Sequence, residues 1–170
     1  MIVDCEMYHH GPDGSVGGQA FGIEQLEELC RAAGVDKAVL MPAPTFYPRN
    51  QLVAEVLNST GGTRGRFVGC ALVNPHFGDD AVGELERAVK EWGFRGAKLM
   101  PTIHAINLIG SLAHPMMRKA QALGIPVTIH SAGSPAHPLE IGVLAEAFPE
   151  VPVIMDQWII WATETTWGQL

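Results

Sequence analysis

The chain of 170 residues is 47% hydrophobic and 17% charged, which is typical of one globular domain with a substantial core. Its formal net charge of −7, without a cluster of Lys or Arg, argues against a surface for nucleic acid or anionic membranes. Its three cysteines include no Cys-x-x-Cys pair, which argues against a disulfide framework and favours reduced, buried thiols. The sequence shows no basic leader and no apolar run of about 18 residues, so we expect a cytoplasmic protein without a membrane segment.

Six short apolar segments alternate along the chain with segments of helical periodicity. The predicted strands cover 2–8, 37–41, 67–73, 96–100, 126–130 and 151–156. The predicted helices cover 24–33, 50–58, 81–92, 112–123 and 139–148. Consecutive Val, Ile and Leu residues in strands that alternate with helices indicate a parallel sheet covered on both faces.

Two architectures fit this alternation: an open doubly wound sheet and a closed (β/α)8 barrel. Neither Gly-x-Gly-x-x-Gly nor a phosphate-binding loop follows the first strand, which weakens the nucleotide-binding version of the open sheet. A complete barrel needs eight strand–helix units and about 250 residues, whereas this chain has six units. The pattern of elements alone leaves both architectures open.

The segment 157–170 departs from the pattern that precedes it. It holds three of the four tryptophans and has neither a helical nor a strand period. It also almost lacks the Gly, Pro, Asn and Asp residues that are typical of loops. We therefore predict a folded domain over 1–156, followed by an atypical tail over 157–170.

Two candidate metal ligands lie at the ends of predicted strands. Glu6 and Tyr8 are two residues apart on the first strand and point the same way, with Asp4 on the same side. His130 ends the fifth strand, and the carboxyl ends of parallel strands meet on one face. Glu6 and His130 together offer an oxygen and a nitrogen that suit a divalent metal such as zinc or manganese. The alternative is structural: Glu6 pairs with Lys98, and backbone groups satisfy His130.

Lys98 and Asp156 are the candidates for catalysis. Lys98 is the only charged residue inside the fourth strand, where a lysine is costly unless it is paired or faces the site. It either holds a substrate carboxylate or pairs with Glu6 or Asp4. Asp156 ends the sixth strand, where it either orients a ligand or caps the next turn. His104, in the loop after the fourth strand, is the loop histidine expected to lean over the same face.

Several segments carry a family resemblance by their order and spacing. They are IVDCE (2–6), RFVG and VNP (within 66–75), GFRGAKL (93–99), GIPVTIH (124–130) and FPEVPVIMD (148–156). Over about residues 1–156 the chain resembles the amidohydrolase-related family of metal-dependent enzymes, which includes hydrolases and aromatic-acid decarboxylases. The resemblance implies an α/β fold of the (β/α)8 barrel type, incomplete here because the chain has six strand–helix units.

The resemblance also implies roles for particular residues. Glu6 matches the first metal-binding position on strand one, and His130 matches the metal ligand that ends strand five. Tyr8 stands where the family has a second histidine on strand one, and Gln157 stands where it has a histidine ending strand six. The metal-binding aspartate of strand eight has no counterpart among the six units.

The expected function is that of a metal-dependent hydrolase acting on a small carbonyl or carboxylate substrate, impaired in this chain because several site residues are missing. The alternatives are a non-oxidative decarboxylase of the same family and a catalytically inactive fragment. An open barrel also favours homo-oligomers that form through an exposed sheet edge. A further hypothesis is a frameshift after Asp156: if the codon for Gln157 is CAA, one restored nucleotide turns Gln157-Trp158 into the His-Met that the family pattern requires.

Overall fold

The computed structural model describes residues 1–11, 22–59, 65–131 and 135–156, together with the backbone of 15–16 and 19–20. The predicted tail at 157–170 lies outside these residues. Within the described part, six strands form one parallel sheet. They are β1 Val3–His9, β2 Lys37–Pro42, β3 Phe67–Leu72, β4 Gly96–Leu99, β5 Val127–His130 and β6 Val153–Asp156.

A helix follows each of the first five strands before the next strand begins. These helices are α1 Ile23–Ala32, α2 Asn50–Asn58, α3 Asp79–Lys90, α4 His114–Leu123 and α5 Pro138–Ala147, and a further single helical turn covers Pro101–His104. Every predicted strand and helix is therefore confirmed, with ends that shift by at most two residues. Among the described helices, none has the length and apolar character needed to cross a membrane.

The strand order and the curl of the sheet are those of a barrel. Each strand pairs with the strand before it in the chain, whereas a doubly wound sheet reverses its order at a switch point. If the sheet were flat, β1 and β6 would lie about 24 Å apart. Instead the ammonium of Lys98 on β4 contacts both Glu6 on β1 and Asp156 on β6. The chain is thus a curled half-barrel, an incomplete (β/α)8 fold.

Alternate residues of each strand face opposite sides of the curled sheet. Leu40, Leu99 and Ile129 face outward and pack with the helices into one hydrophobic core. Inward positions such as Cys70 and Thr128 line a cavity of about 240 Å³. The sequence pattern predicted a sheet covered on both faces; in the described residues the helices cover the outer face, and the inner face lines this cavity. The reason is that consecutive strand order keeps every crossover connection on the same side of the sheet.

Strand β1 contains a bulge that changes which residues share a face. Asp4 pairs with Ala38 and Met7 pairs with Leu40, so two residues of β1 lie opposite the single residue Val39. Asp4 therefore points outward with Ala38, and its carboxylate accepts a hydrogen bond from the backbone N–H of Glu6. The prediction that Asp4 shares a side with Glu6 was wrong, because a bulge interrupts the regular alternation of side chains between the two faces of the strand.

The three cysteines are free thiols in different environments. Cys30 on α1 and Cys70 on β3 are buried, and burial raises the pKa of the Cys70 thiol to about 12. Cys5 is exposed, which corrects the expectation that all three thiols are buried. It lies within the bulge of β1, a strand whose only neighbour in the described sheet is β2.

Local signals at two helix ends frame the strand that carries His130. Helix α4 ends at Gly124, whose φ of 65° is the left-handed conformation that glycine adopts without strain, and β5 begins three residues later. After β5, helix α5 begins with a capping box between His137 and Glu140, and Pro138 occupies its first turn. The end of α4 and the start of α5 thus fix the limits of β5 and place His130 at the carboxyl edge of the sheet.

Substitution of Gly69 on β3 tests the close packing between sheet and helices. A Cβ at this position would lie 2.5 Å from the ring of the fully buried Phe94. We expect Gly69→Val to lower the free energy of unfolding by about 1–3 kcal/mol, because the ring has no free space to move into. The measurement is chemical denaturation followed by circular dichroism.

The control for this prediction is Gly83 in α3, where a new Cβ would meet no atom within 4 Å. Gly83→Ala should raise the free energy of unfolding by about 0.5–1 kcal/mol, because alanine has the higher helix propensity. A Gly69→Val protein as stable as the parent would contradict the packing described here.

Candidate metal centre

The polar side chains inside the half-barrel gather at the carboxyl ends of four strands. Glu6 and Tyr8 come from β1, Lys98 from β4, His130 from β5 and Asp156 from β6. The register of the last two strands pairs His130 directly with Asp156. Paired residues of neighbouring parallel strands point to the same side, so these two side chains share the inner face.

Lys98 lies at the centre of this group and is completely buried. Its ammonium donates hydrogen bonds to Glu6 Oε1, to the Tyr8 hydroxyl at 2.8 Å and to Asp156 Oδ2 at 2.5 Å. The Tyr8 hydroxyl in turn donates to Glu6 Oε1. A buried ammonium is tolerated only with such partners, because its desolvation is otherwise very costly. All three protons of the ammonium are thus used.

Glu6, His130 and Asp156 form a group that could hold a metal ion. Each offers one ligand atom, and these atoms all lie within 4.8 Å of one another. Two atoms of the group, His130 Nδ1 and Asp156 Oδ1, lie 3.5 Å apart, and both are buried without a hydrogen-bond partner. Buried polar atoms are normally satisfied, so this pair fits a ligand such as a divalent cation. Nitrogen and carboxylate donors suit zinc and manganese.

The electrostatics of the group favour a cation at this position. Burial alone would raise the pKa of the Asp156 carboxyl, but His130 and Lys98 outweigh it and hold that pKa below its ordinary value. Burial and the hydrogen bond to Glu6 raise the pKa of the Tyr8 hydroxyl well above its ordinary value. Asp156 is therefore an anion at neutral pH, and Tyr8 keeps its proton and acts as a hydrogen-bond donor.

The structure brings together all four candidates that the sequence singled out. Glu6 and His130 lie in one group, as a shared metal site requires, and Lys98 pairs with Glu6, which was one of its two anticipated roles. The proposed pairing of Lys98 with Asp4 is not found, because Asp4 points outward. Asp156, considered for catalysis, also joins the group of potential metal ligands. The strand register that pairs Asp156 with His130 is the signal that would have revealed Asp156 as a potential metal ligand.

His104 does not belong to this site. It is fully buried, its Nε2 lies 2.9 Å from the backbone oxygen of Thr45, and its ring packs edge-on against Phe46. The His76 ring in turn bonds to the backbone oxygen of His104 at 2.8 Å. The expectation that His104 leans over the metal group was wrong, because the loop after β2 covers it.

Comparison with known proteins agrees with this fold. The Amidohydrolase family model matches residues 6–157 of the chain. No curated protein matches the sequence.

Three solved structures illustrate the similarity. The 4-oxalomesaconate hydratase from Rhodopseudomonas palustris is 20% identical with a TM-score of 0.66, over 91% of this chain and 62% of that one. The 2,6-dihydroxybenzoate decarboxylase from Rhizobium is 18% identical with a TM-score of 0.63, over 91% and 65%. The dihydroxybenzoic acid decarboxylase from Polaromonas, solved with manganese and 2-nitroresorcinol, is 19% identical with a TM-score of 0.67, over 91% and 64%. This chain thus spans less than two thirds of each structure's length, and the likeness concerns the fold.

Metal binding by this group is directly measurable. We expect Glu6→Gln and His130→Gln each to weaken binding of Zn²⁺ or Mn²⁺ to the apo protein by at least ~10-fold, because each removes a donor atom. Isothermal titration calorimetry gives the dissociation constants. Glu146→Gln, which changes an exposed residue of α5 in the same chemical way, is the matched control. Equal affinities in the parent and both site variants would place the metal elsewhere.

Acid sensitivity should come in part from His104. Burial lowers the pKa of His104, and the hydrogen bond to Thr45 offsets part of this effect. As the pH falls, the His104 ring therefore binds a proton more readily in the unfolded chain than in the folded chain. Stability is then complete above the ordinary histidine pKa of about 6.5 and is lost as the pH falls below it. We expect the free energy of unfolding to fall by about 1 kcal/mol between pH 7 and 5.5. In His104→Gln the loss should shrink, and in the control His10→Gln it should not; an unchanged slope in His104→Gln would refute this origin.

Proposed function

The chain belongs to the amidohydrolase family, and on that premise we propose that it binds a divalent metal and acts on a small carbonyl or carboxylate substrate. The observation that carries the proposal is that His130 Nδ1 and Asp156 Oδ1 are buried beside Glu6, 3.5 Å apart, and neither makes a hydrogen bond. In this proposal Glu6, His130 and Asp156 hold the metal. When bound, the metal would polarise a carbonyl or lower the pKa of a water molecule.

The neighbouring residues would prepare the site for such chemistry. Tyr8 keeps its proton and fixes one oxygen of Glu6, so that the carboxylate has a defined orientation. Asp156 stays ionised at neutral pH, which suits a metal ligand or a proton acceptor. Lys98 places a positive charge beside the same carboxylates, where it also favours an anionic substrate. The catalytic roles that the sequence suggested for Lys98 and Asp156 stay a prediction.

Hydrolysis is the reaction we favour, with decarboxylation as the second candidate. The second candidate is supported by the dihydroxybenzoate decarboxylases among the similar structures, one of which was solved with manganese. Both reactions use a metal to activate a bound oxygen and differ in whether that oxygen belongs to water or to the substrate. Association of two copies through the edges of the described sheet stays a prediction.

Turnover by the metal-loaded protein separates these candidates. We expect hydrolysis of small lactones or amides that carry a carboxylate, and a loss of at least ~100-fold in His130→Gln, because a metal ligand is removed. Release of carbon dioxide from 2,6-dihydroxybenzoate would instead establish the decarboxylase. Tight metal binding without turnover of either class would contradict both and indicate an inactive fragment. The Glu146→Gln variant again serves as the matched control.

A further inference from the structure

We propose that Lys98 is a positioning residue that assembles the metal site by holding the first and last strands of the half-barrel together. The inference rests on the proposed metal site and adds a role for a residue that would not touch the metal. Among the hydrogen bonds of the described residues, those of Lys98 alone join β1 to β6, through Glu6 and Asp156. Its effect on metal binding would be exerted through those two carboxylates.

The carboxylate oxygens that Lys98 binds indicate that it positions the metal ligands and does not compete with the metal for them. Lys98 donates to Oδ2 of Asp156, while Oδ1 of the same carboxylate accepts no hydrogen bond and lies 3.5 Å from His130 Nδ1. The ammonium and the proposed metal thus use different oxygens of Asp156. At Glu6 the ammonium and the Tyr8 hydroxyl share Oε1, so the other oxygen has no hydrogen bond to either. One oxygen of each carboxylate is left for the metal.

The geometry of the sheet explains why such a tie is needed. No described strand lies between β6 and β1 on the open side of the half-barrel, so the backbone does not fix the distance between Glu6 and Asp156 there. Lys98 projects from β4, in the middle of the sheet, and reaches both. Because it is completely buried, the ammonium cannot exchange its partners for water without opening the site.

The proposal makes a prediction opposite to simple electrostatics. Removing a positive charge beside a cation site should strengthen metal binding if charge alone decided. Residues that orient metal ligands from behind typically contribute 10–100-fold to metal affinity, so we expect Lys98→Met to weaken Zn²⁺ binding by about that factor. Lys98→Arg, which keeps the charge and the donors, should restore part of the affinity. Lys37→Met, which removes an exposed lysine from the start of β2, is the control and should bind as the parent does.

The titrations are run at a temperature where circular dichroism shows each variant to be folded. Tighter Zn²⁺ binding by Lys98→Met would overturn the proposal and make Lys98 a competitor of the metal. Affinity unchanged by Lys98→Met would also overturn it.

A second measurement uses the parent protein and does not depend on a variant that folds. The chain has four lysines, Lys37, Lys90, Lys98 and Lys119, so side-chain ¹⁵N NMR resolves the ammonium groups. On adding Zn²⁺, the Lys98 signal should shift yet stay protected from solvent exchange, while the ring signals of His130 shift. Loss of the Lys98 signal with a shift of His130 would show that the metal displaces the ammonium, which contradicts positioning. If neither signal responds in the parent and no variant binds Zn²⁺, the proposed metal site itself is refuted.

Discussion

The buried ammonium of Lys98 is the constraint on which the architecture of the site depends. A lysine without any exposed surface needs charged or polar partners for its protons, and it finds them on β1 and β6. Those partners lie on the two edges of the described sheet, so satisfying one residue of β4 requires the whole sheet to curl. The curl in turn brings Glu6 within reach of His130 and Asp156. The need of one buried ammonium for charged and polar partners therefore links the curl of the sheet to the geometry of the site.

The remaining geometry follows from how parallel strands present side chains. Consecutive strand order keeps the helices outside, leaves the inner face for polar groups and aligns the strand ends that carry them. The bulge in β1 contributes by turning Asp4 outward while Glu6 stays inside. As a result, the group contains two carboxylates and one ammonium, a combination with one net negative charge when His130 is neutral. A third carboxylate at this point would have raised the net negative charge of the group from −1 to −2.

Local patterns predicted the elements well, because apolar runs of strand length and helix-period segments are set by burial of each segment's own residues. The same patterns placed Glu6, His130 and Asp156 towards strand ends and Lys98 inside the fourth strand, and these four side chains indeed gather. Three features were beyond such reasoning. The bulge that reorients Asp4 depends on register with β2, and the burial of His104 depends on a loop 59 residues earlier in the chain. The contact between Lys98 and Asp156 depends on the curl, which no single segment encodes.

The charge balance of the site also bears on what it would bind. With Glu6 and Asp156 as anions and Lys98 as a cation, a bound divalent ion would change the net charge of the group from −1 to +1. A positive, partly enclosed site attracts an anionic substrate and orients its carboxylate. The similar structures are those of enzymes named for carboxylic acids, oxalomesaconate and dihydroxybenzoate. At 18–20% identity, their likeness to this chain concerns only the fold. The proposed preference for a carboxylate substrate therefore rests on Lys98 itself: without its charge the metal-loaded group would be neutral, and the attraction would be lost.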